Sequence, residues 1–170
     1  MRTVPVCVLL SAFLIIGCTA ISVKPVPSTI AIDRVYIRTN PKVLVSDFVD
    51  VLRDGFARHG IASEVIAEDA HAEGKYVVTY TALRSWDLAP YLSVAEIGIE
   101  KDGYPVASAH YHLRGKGGYD LGKYRGTKAK MDPVIDQLLS GIYVRAKQPP
   151  GSVMPTADAP GAPPSGAAGR

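Results

Sequence analysis

One dipeptide, Asp102-Gly103, constrains most strongly what this chain can fold into. It sits between two runs of strand-forming residues, Tyr91 to Glu100 and Tyr104 to Leu113. Asp and Gly both tolerate the positive φ that a tight hairpin turn needs, so the two runs are expected to pair antiparallel. A third run, Lys75 to Trp86, precedes them with Tyr76, Val77, Val78, Thr79, Tyr80 and Thr81 in succession. Three such runs in a row predict a meander.

The flanking segments carry a different period. Leu44, Phe48, Val51, Leu52 and Phe56 recur at helical spacing, with Asp47, Asp50, Arg53 and Asp54 on much of the other face. Ser46 suits the N-cap of that helix, and Gly60 after His59 suits its end. Met131, Val134, Ile135, Leu138, Leu139 and Ile142 predict a second amphipathic helix, with Asp132 and Pro133 near its start. Arg34 to Thr39 and Ile61 to Ala67 read as further strands. The expected order is β-α-β-β-β-β-α. This is an α+β fold: an antiparallel sheet of four to five strands with two helices packed on one face.

The ends of the chain point to the cell envelope. Arg2 is followed by an apolar run from Val4 to Ile16, broken only by Pro5 and Ser11, and then by Gly17-Cys18. About a dozen apolar residues are too few to span a bilayer, which takes about 20, but they suit a cleaved signal peptide. Ile15-Ile16-Gly17-Cys18 has the form of a lipobox: residues 1–17 are expected to be removed and Cys18 acylated. Several acyl chains anchor a protein stably where a single one does not. Thr19, rather than Asp, follows the cysteine, which by resemblance to Gram-negative lipoproteins implies the outer membrane, with the domain facing the periplasm. Residues 18–32, with Pro25 and Pro27, read as an acylated N-terminus and tether, and residues 33–147 as the domain. Gln148 to Arg170 is rich in Pro, Gly and Ala and lacks aromatic residues, so it is expected to be disordered.

Charge and cysteine usage narrow the chemistry. The formal net charge of +3 falls to +2 without Arg2, too little to suggest nucleic acid as a partner. The second cysteine, Cys7, lies in the signal segment, so the mature chain has no pair for a disulfide and no Cys-based metal site. Neither a Ser/His/Asp spacing nor a metalloprotease helix occurs, and Ser85 lacks the glycines of a nucleophile elbow.

The least ordinary part of the domain is Arg114 to Lys130. Six basic side chains there meet one acid, Asp120, and five glycines free the backbone. Such a segment offers cations and amide N–H groups to phosphate or carboxylate, beside a helix start that also favours anions. It matches neither a phosphate-binding P-loop nor a dinucleotide fingerprint, and the same composition would serve a solvated connection. Lys116, Gly117 and Gly118, with Lys123, Tyr124, Arg125 and Lys128, are the candidate contacts. Arg84, Trp86 and Asp87 at the end of the strand 75–86 are the second candidate group. Trp86 there is either a ligand platform or a cover for the core edge, and Arg84 a partner for Asp87 or another acid. His110 and His112 are expected on one strand face, either as two solvated side chains or as two metal ligands. A third would have to come from His59, His71 or Glu96.

Several stretches resemble a family of small proteobacterial lipoproteins of unassigned function. They are Asn40-Pro41-Lys42, Ser46-Asp47-Phe48, Arg58-His59-Gly60-Ile61, Thr79-Tyr80-Thr81-Ala82-Leu83-Arg84-Ser85-Trp86-Asp87, Gly115-Lys116-Gly117-Gly118, and Gly126-Thr127-Lys128 followed by Asp132-Pro133-Val134-Ile135-Asp136. The resemblance spans most of the domain and stops before the Pro-rich tail. It implies no activity and no catalytic residue. The order of elements is also similar to that of outer-membrane assembly and transport-accessory lipoproteins, which act by binding partners. The resulting expectation is a non-catalytic, lipid-anchored binding or scaffold module with no cofactor. Its partners would be the membrane, through Cys18, and an anionic envelope component or envelope protein. The alternative is an envelope enzyme, glycan-directed or metal-dependent through His110 and His112.

Overall fold

A computed structural model describes residues 19–114 and 121–142 of the chain. The hairpin forms as its turn residues dictate: Asp102 has φ 52° and Gly103 φ 81°. The hairpin strands are β5 (Pro90–Lys101) and β6 (Tyr104–Leu113), and β4 (Tyr76–Trp86) pairs antiparallel with β5 on its other side. The remaining elements are β1 (Thr19–Lys24), β2 (Arg34–Arg38), α1 (Phe48–Arg58), β3 (Ala62–Ile66), a short 3-10 helix (Leu121–Tyr124) and α2 (Thr127–Leu138). The fold is α+β.

The sheet has six strands in the order β1-β6-β5-β4-β2-β3, more than the four or five expected, and it is mixed rather than antiparallel. β2 runs parallel to both β3 and β4. For β3 the cause is α1, a helical crossover that returns the chain to the end of the sheet from which it started; the connection 67–75 returns it once more, so β4 runs the same way.

The sixth strand comes from the segment expected to be a tether. Thr19 to Lys24 pairs antiparallel with β6, from Thr19 opposite Leu113 to Lys24 opposite Ser108. The segment then passes across the end of α2: Val26 N–H donates to the Leu138 carbonyl (2.9 Å), and Val26 is 1% exposed. Gly141 permits this crossing, because a Cβ there would stand 2.0 Å from the Val26 carbonyl oxygen. Residues 19–32 therefore belong to the domain. β1 is an edge strand, where Pro25 just beyond its end interrupts no ladder.

α1 buries Phe48, Val51, Leu52 and Phe56, and α2 buries Met131, Val134, Ile135 and Leu138. Both cover one sheet face, over Val35, Ile37, Val78, Ile97, Ile99, Ala107 and Ala109. Gly55 lets the helices meet closely, since a Cβ there would lie 2.8 Å from Ile135 Cδ1. α1 ends as its sequence predicts. Gly60, with φ 72°, donates to the Ala57 carbonyl and Ile61 to that of Phe56, which closes the last turn.

α2 differs from expectation by starting at Thr127, which leaves Pro133 inside the helix. The bond removed by Pro133 would go to the carbonyl of Ala129, an exposed residue, where water can take its place. Among the described residues no helix is long and apolar enough to cross a membrane. Residues 1–18, 115–120 and 143–170 lie outside the described residues. With them lie the signal segment, Cys18, Lys116, Gly117, Gly118 and the Pro-rich tail.

Candidate functional site

Antiparallel pairing brings three features to one end of the sheet: the turn between β4 and β5, the end of β6 and the start of β1. Trp86 pairs with Pro90 across that turn, Val94 with His112 and Thr19 with Leu113. Trp86 and Leu88 stand in solvent there, 71% and 86% exposed. Leu121, at the start of the 3-10 helix beside them, is 78% exposed. Trp86 thus covers no core edge.

Asp87, between these apolar side chains, ties the turn to the 3-10 helix. Lys123 Nζ lies 2.6 Å from its Oδ2, and the Tyr124 hydroxyl donates to Oδ1. The hydrogen bond from Lys123, and then that from Tyr124, hold the Asp87 carboxyl well below the usual carboxylate range. The same contacts act in reverse on the partners. Asp87 raises the Lys123 ammonium, and it raises the Tyr124 phenol with burial adding to the effect.

Beneath this corner lies a second lysine that the sequence did not single out. Lys130, from the first turn of α2, is 8% exposed, and its ammonium donates to the Leu92 carbonyl (3.0 Å) and to that of Lys123. Both ammonium groups lie over the Tyr91 ring at 5.7 Å from its centroid. Tyr91 is 2% exposed, and its hydroxyl has no hydrogen-bond partner among the described residues. Lys123 itself is only 9% exposed, so its side chain forms an inner wall rather than an outward contact.

The other candidates are dispersed. Arg84 pairs with Asp47 at the start of α1 (3.0 Å), not with Asp87. Lys128 lies between Asp54 and Asp132, at 3.3 and 3.4 Å, and bridges the two helices. Arg125 is exposed, next to the corner. A separate ion-pair cluster clamps α1 to α2. There Arg58 reaches Asp132 (2.7 Å) and Asp136 (2.8 Å), and His59 Nε2 lies 2.9 Å from Asp136. Burial opposes ionisation of Asp136, but Arg58 and His59 outweigh it and hold its carboxyl below the ordinary value.

His110 and His112 do share the open face of the sheet, opposite Glu96 and Val94 respectively. His110 Nδ1 is 3.5 Å from Glu96. No group of three or more His, Cys, Asp or Glu residues stands where it could hold one metal ion, among the described residues.

No protein-family model matches the chain, and no curated protein matches it. Among solved structures it is similar to the PelC dodecamer of Paraburkholderia phytofirmans. The identity is 12%, the TM-score 0.47, and the match covers 74% of this chain and 97% of that one. A leucine-to-methionine variant of the same dodecamer matches at 13% identity and a TM-score of 0.49, with the same coverage.

Proposed function

We propose that the chain is a lipid-anchored lipoprotein of the cell envelope that works as a non-catalytic binding module, held at the outer membrane and facing the periplasm. The lipobox at Cys18 and the Thr19 that follows it support the anchor and its address. The observation that carries the binding role is the composition of one end of the sheet. Trp86, Leu88 and Leu121 stand exposed there around the Asp87–Lys123 pair, with Arg125 alongside. A large aromatic residue and two leucines in solvent, rimmed by charge, are what a contact surface needs and a solvated turn does not.

Thr19 begins β1 at the same end, so acyl chains on Cys18 would leave the domain beside this surface. The module presents the corner close to the membrane, to an anionic envelope component or an acidic protein face. Arg84 and Lys128 take no part in this contact; both join elements of the domain to each other.

Co-purification from cells tests the reading. Wild-type protein, captured after mild detergent extraction, should carry a discrete partner. Leu88→Glu combined with Arg125→Glu should remove it and leave the fold unchanged. An unchanged set of partners in that variant would show that the corner is not the contact surface.

A further inference from the structure

A cleft of about 260 Å³ opens beside the corner, between the start of β1, the end of β6 and the first turn of α2. Thr19 and Leu113 form one wall, Lys123 and Arg125 a second, and Ala129 and Lys130 the third. Three cations line it, and no carboxylate does among the described residues. The contrast with a larger cleft is informative. That one, about 370 Å³, is lined by Arg38 together with Glu73, Glu100 and Asp102.

We infer that this cleft is a binding site for a phosphate group, and that its source is the headgroup of a membrane lipid.

Four observations converge on it. Two of the three cations are about nine-tenths buried, Lys123 at 9% and Lys130 at 8% exposed, and both are fixed in place, Lys123 by its ion pair with Asp87 and Lys130 by the Leu92 and Lys123 carbonyls, so they add positive potential to the cleft walls rather than mobile contacts. The third, Arg125, is exposed at the mouth, and its planar guanidinium suits bidentate contact with phosphate oxygens. Along α2 the cleft is lined by Ala129, Lys130 and Pro133, close to the helix start, whose partial positive charge favours an anion. The Tyr91 ring lies 5.7 Å under both lysine ammonium groups and helps to hold them in place.

Position selects the source. Thr19 lines the cleft, and Cys18 is its chain neighbour, about 3.8 Å away between Cα atoms. This step rests on the reading of Cys18 as the lipidated residue. Acyl chains there would hold the cleft at headgroup depth, where phosphate groups are dense.

The test uses the chain from Cys18 to Arg170, which contains the whole described core, produced without residues 1–17 and therefore unacylated. Binding is measured by co-sedimentation with vesicles of phosphatidylcholine alone and with a quarter phosphatidylglycerol. Inorganic phosphate is titrated separately against the backbone amide NMR signals of residues 121–130. Arg125→Glu and Ala129→Glu change exposed positions of the cleft. Arg53→Glu, on the exposed face of α1, makes the same charge change as Arg125→Glu elsewhere.

Binding should require phosphatidylglycerol. Each basic side chain near an anionic surface contributes about fivefold, so reversing Arg125 should weaken binding by about 30-fold. Ala129→Glu should weaken it as well, and Arg53→Glu should have little effect. Shifts in the amides with phosphate but no binding to either vesicle would keep the phosphate site and overturn its lipid source. Equal losses for all three variants, or no response to vesicles or phosphate, would overturn the inference. Intact mass of cell-made protein reports on acylation independently, so a failed anchor and an empty cleft are distinguishable.

Discussion

Replacing Gly141 with alanine should destabilise the domain, against the usual sign of such a change. At a helical position Gly→Ala normally stabilises, by about 1 kcal/mol. Here the new Cβ would stand 2.0 Å from the Val26 carbonyl oxygen, 3.2 Å from its carbonyl carbon and 3.3 Å from Ser28 N. All three are backbone atoms, so no side chain can rotate away, and the crossing segment must lift. Two interactions go with it. The hydrogen bond from Val26 N–H to the Leu138 carbonyl contributes about 1 kcal/mol net. Burial of Val26, only 1% exposed, contributes about 1.5–3 kcal/mol. After the helix gain is subtracted, the net loss is about 2 kcal/mol, which lowers the melting temperature of a domain this size by roughly 10 °C. Calorimetry reads the shift, and amide exchange reads its origin: the Val26 amide should become fast while those of β4 and β5 stay slow. Because Gly141→Ala already displaces Val26, adding Val26→Ala should cost much less than it does alone. An unchanged or higher melting temperature, with Val26 still protected, would refute the reasoning. The result bears on function because this segment fixes β1, and β1 fixes where Cys18 leaves the domain.

Other expectations follow from the same geometry. Gly55→Ala would put a Cβ 2.8 Å from Ile135 Cδ1 and Cγ2; overpacking of this kind costs about 1–3 kcal/mol, and Ile135→Val should recover part of the lost melting temperature. Asp87 has a folded pKa below its unfolded one, so its contribution to stability is present above the ordinary carboxylate value and is lost as pH falls below it. Denaturant midpoints of wild type should therefore drop more steeply in acid than those of Asp87→Asn. Tyr124 shows the opposite sign: its phenol should ionise above the usual tyrosine range by ultraviolet absorbance, and Asp87→Ala should bring it down.

The parts of the fold legible in the sequence were those set by local chemistry. The Asp102-Gly103 turn and the Gly60 stop each need positive φ, and both positions have it. The helix face from Phe48 to Phe56 is buried as its spacing predicts. Non-local pairing was less legible. β1 presents Val23 to the core as its only consistently inward residue, since Ile21 remains 47% exposed, and nearby prolines suggested a tether. The parallel pairing of β2 follows from a crossover rather than from anything within β2. Pro133 marked a helix start only because the carbonyl it leaves unbonded, on exposed Ala129, could not be seen to reach water.

At the candidate site, the sequence left Arg84 to pair with Asp87 or with another acid. The fold pairs Arg84 with Asp47 and Asp87 with Lys123, 36 positions away. Lys130 was one of the six basic residues of the segment 114–130 but was not a candidate contact, because a buried lysine inside an apolar helix face carries no local signal. Its role emerges only when β5 supplies the Leu92 carbonyl.

The most direct test of the account is site-specific photocrosslinking in cells from Leu88 and Leu121, with Tyr104 as the control. Tyr104 is also exposed, at 77%, but sits at the opposite end of the sheet. Discrete adducts from positions 88 and 121, lost with Arg125→Glu and absent from position 104, are the predicted result. Adducts from position 104 alone would contradict the account.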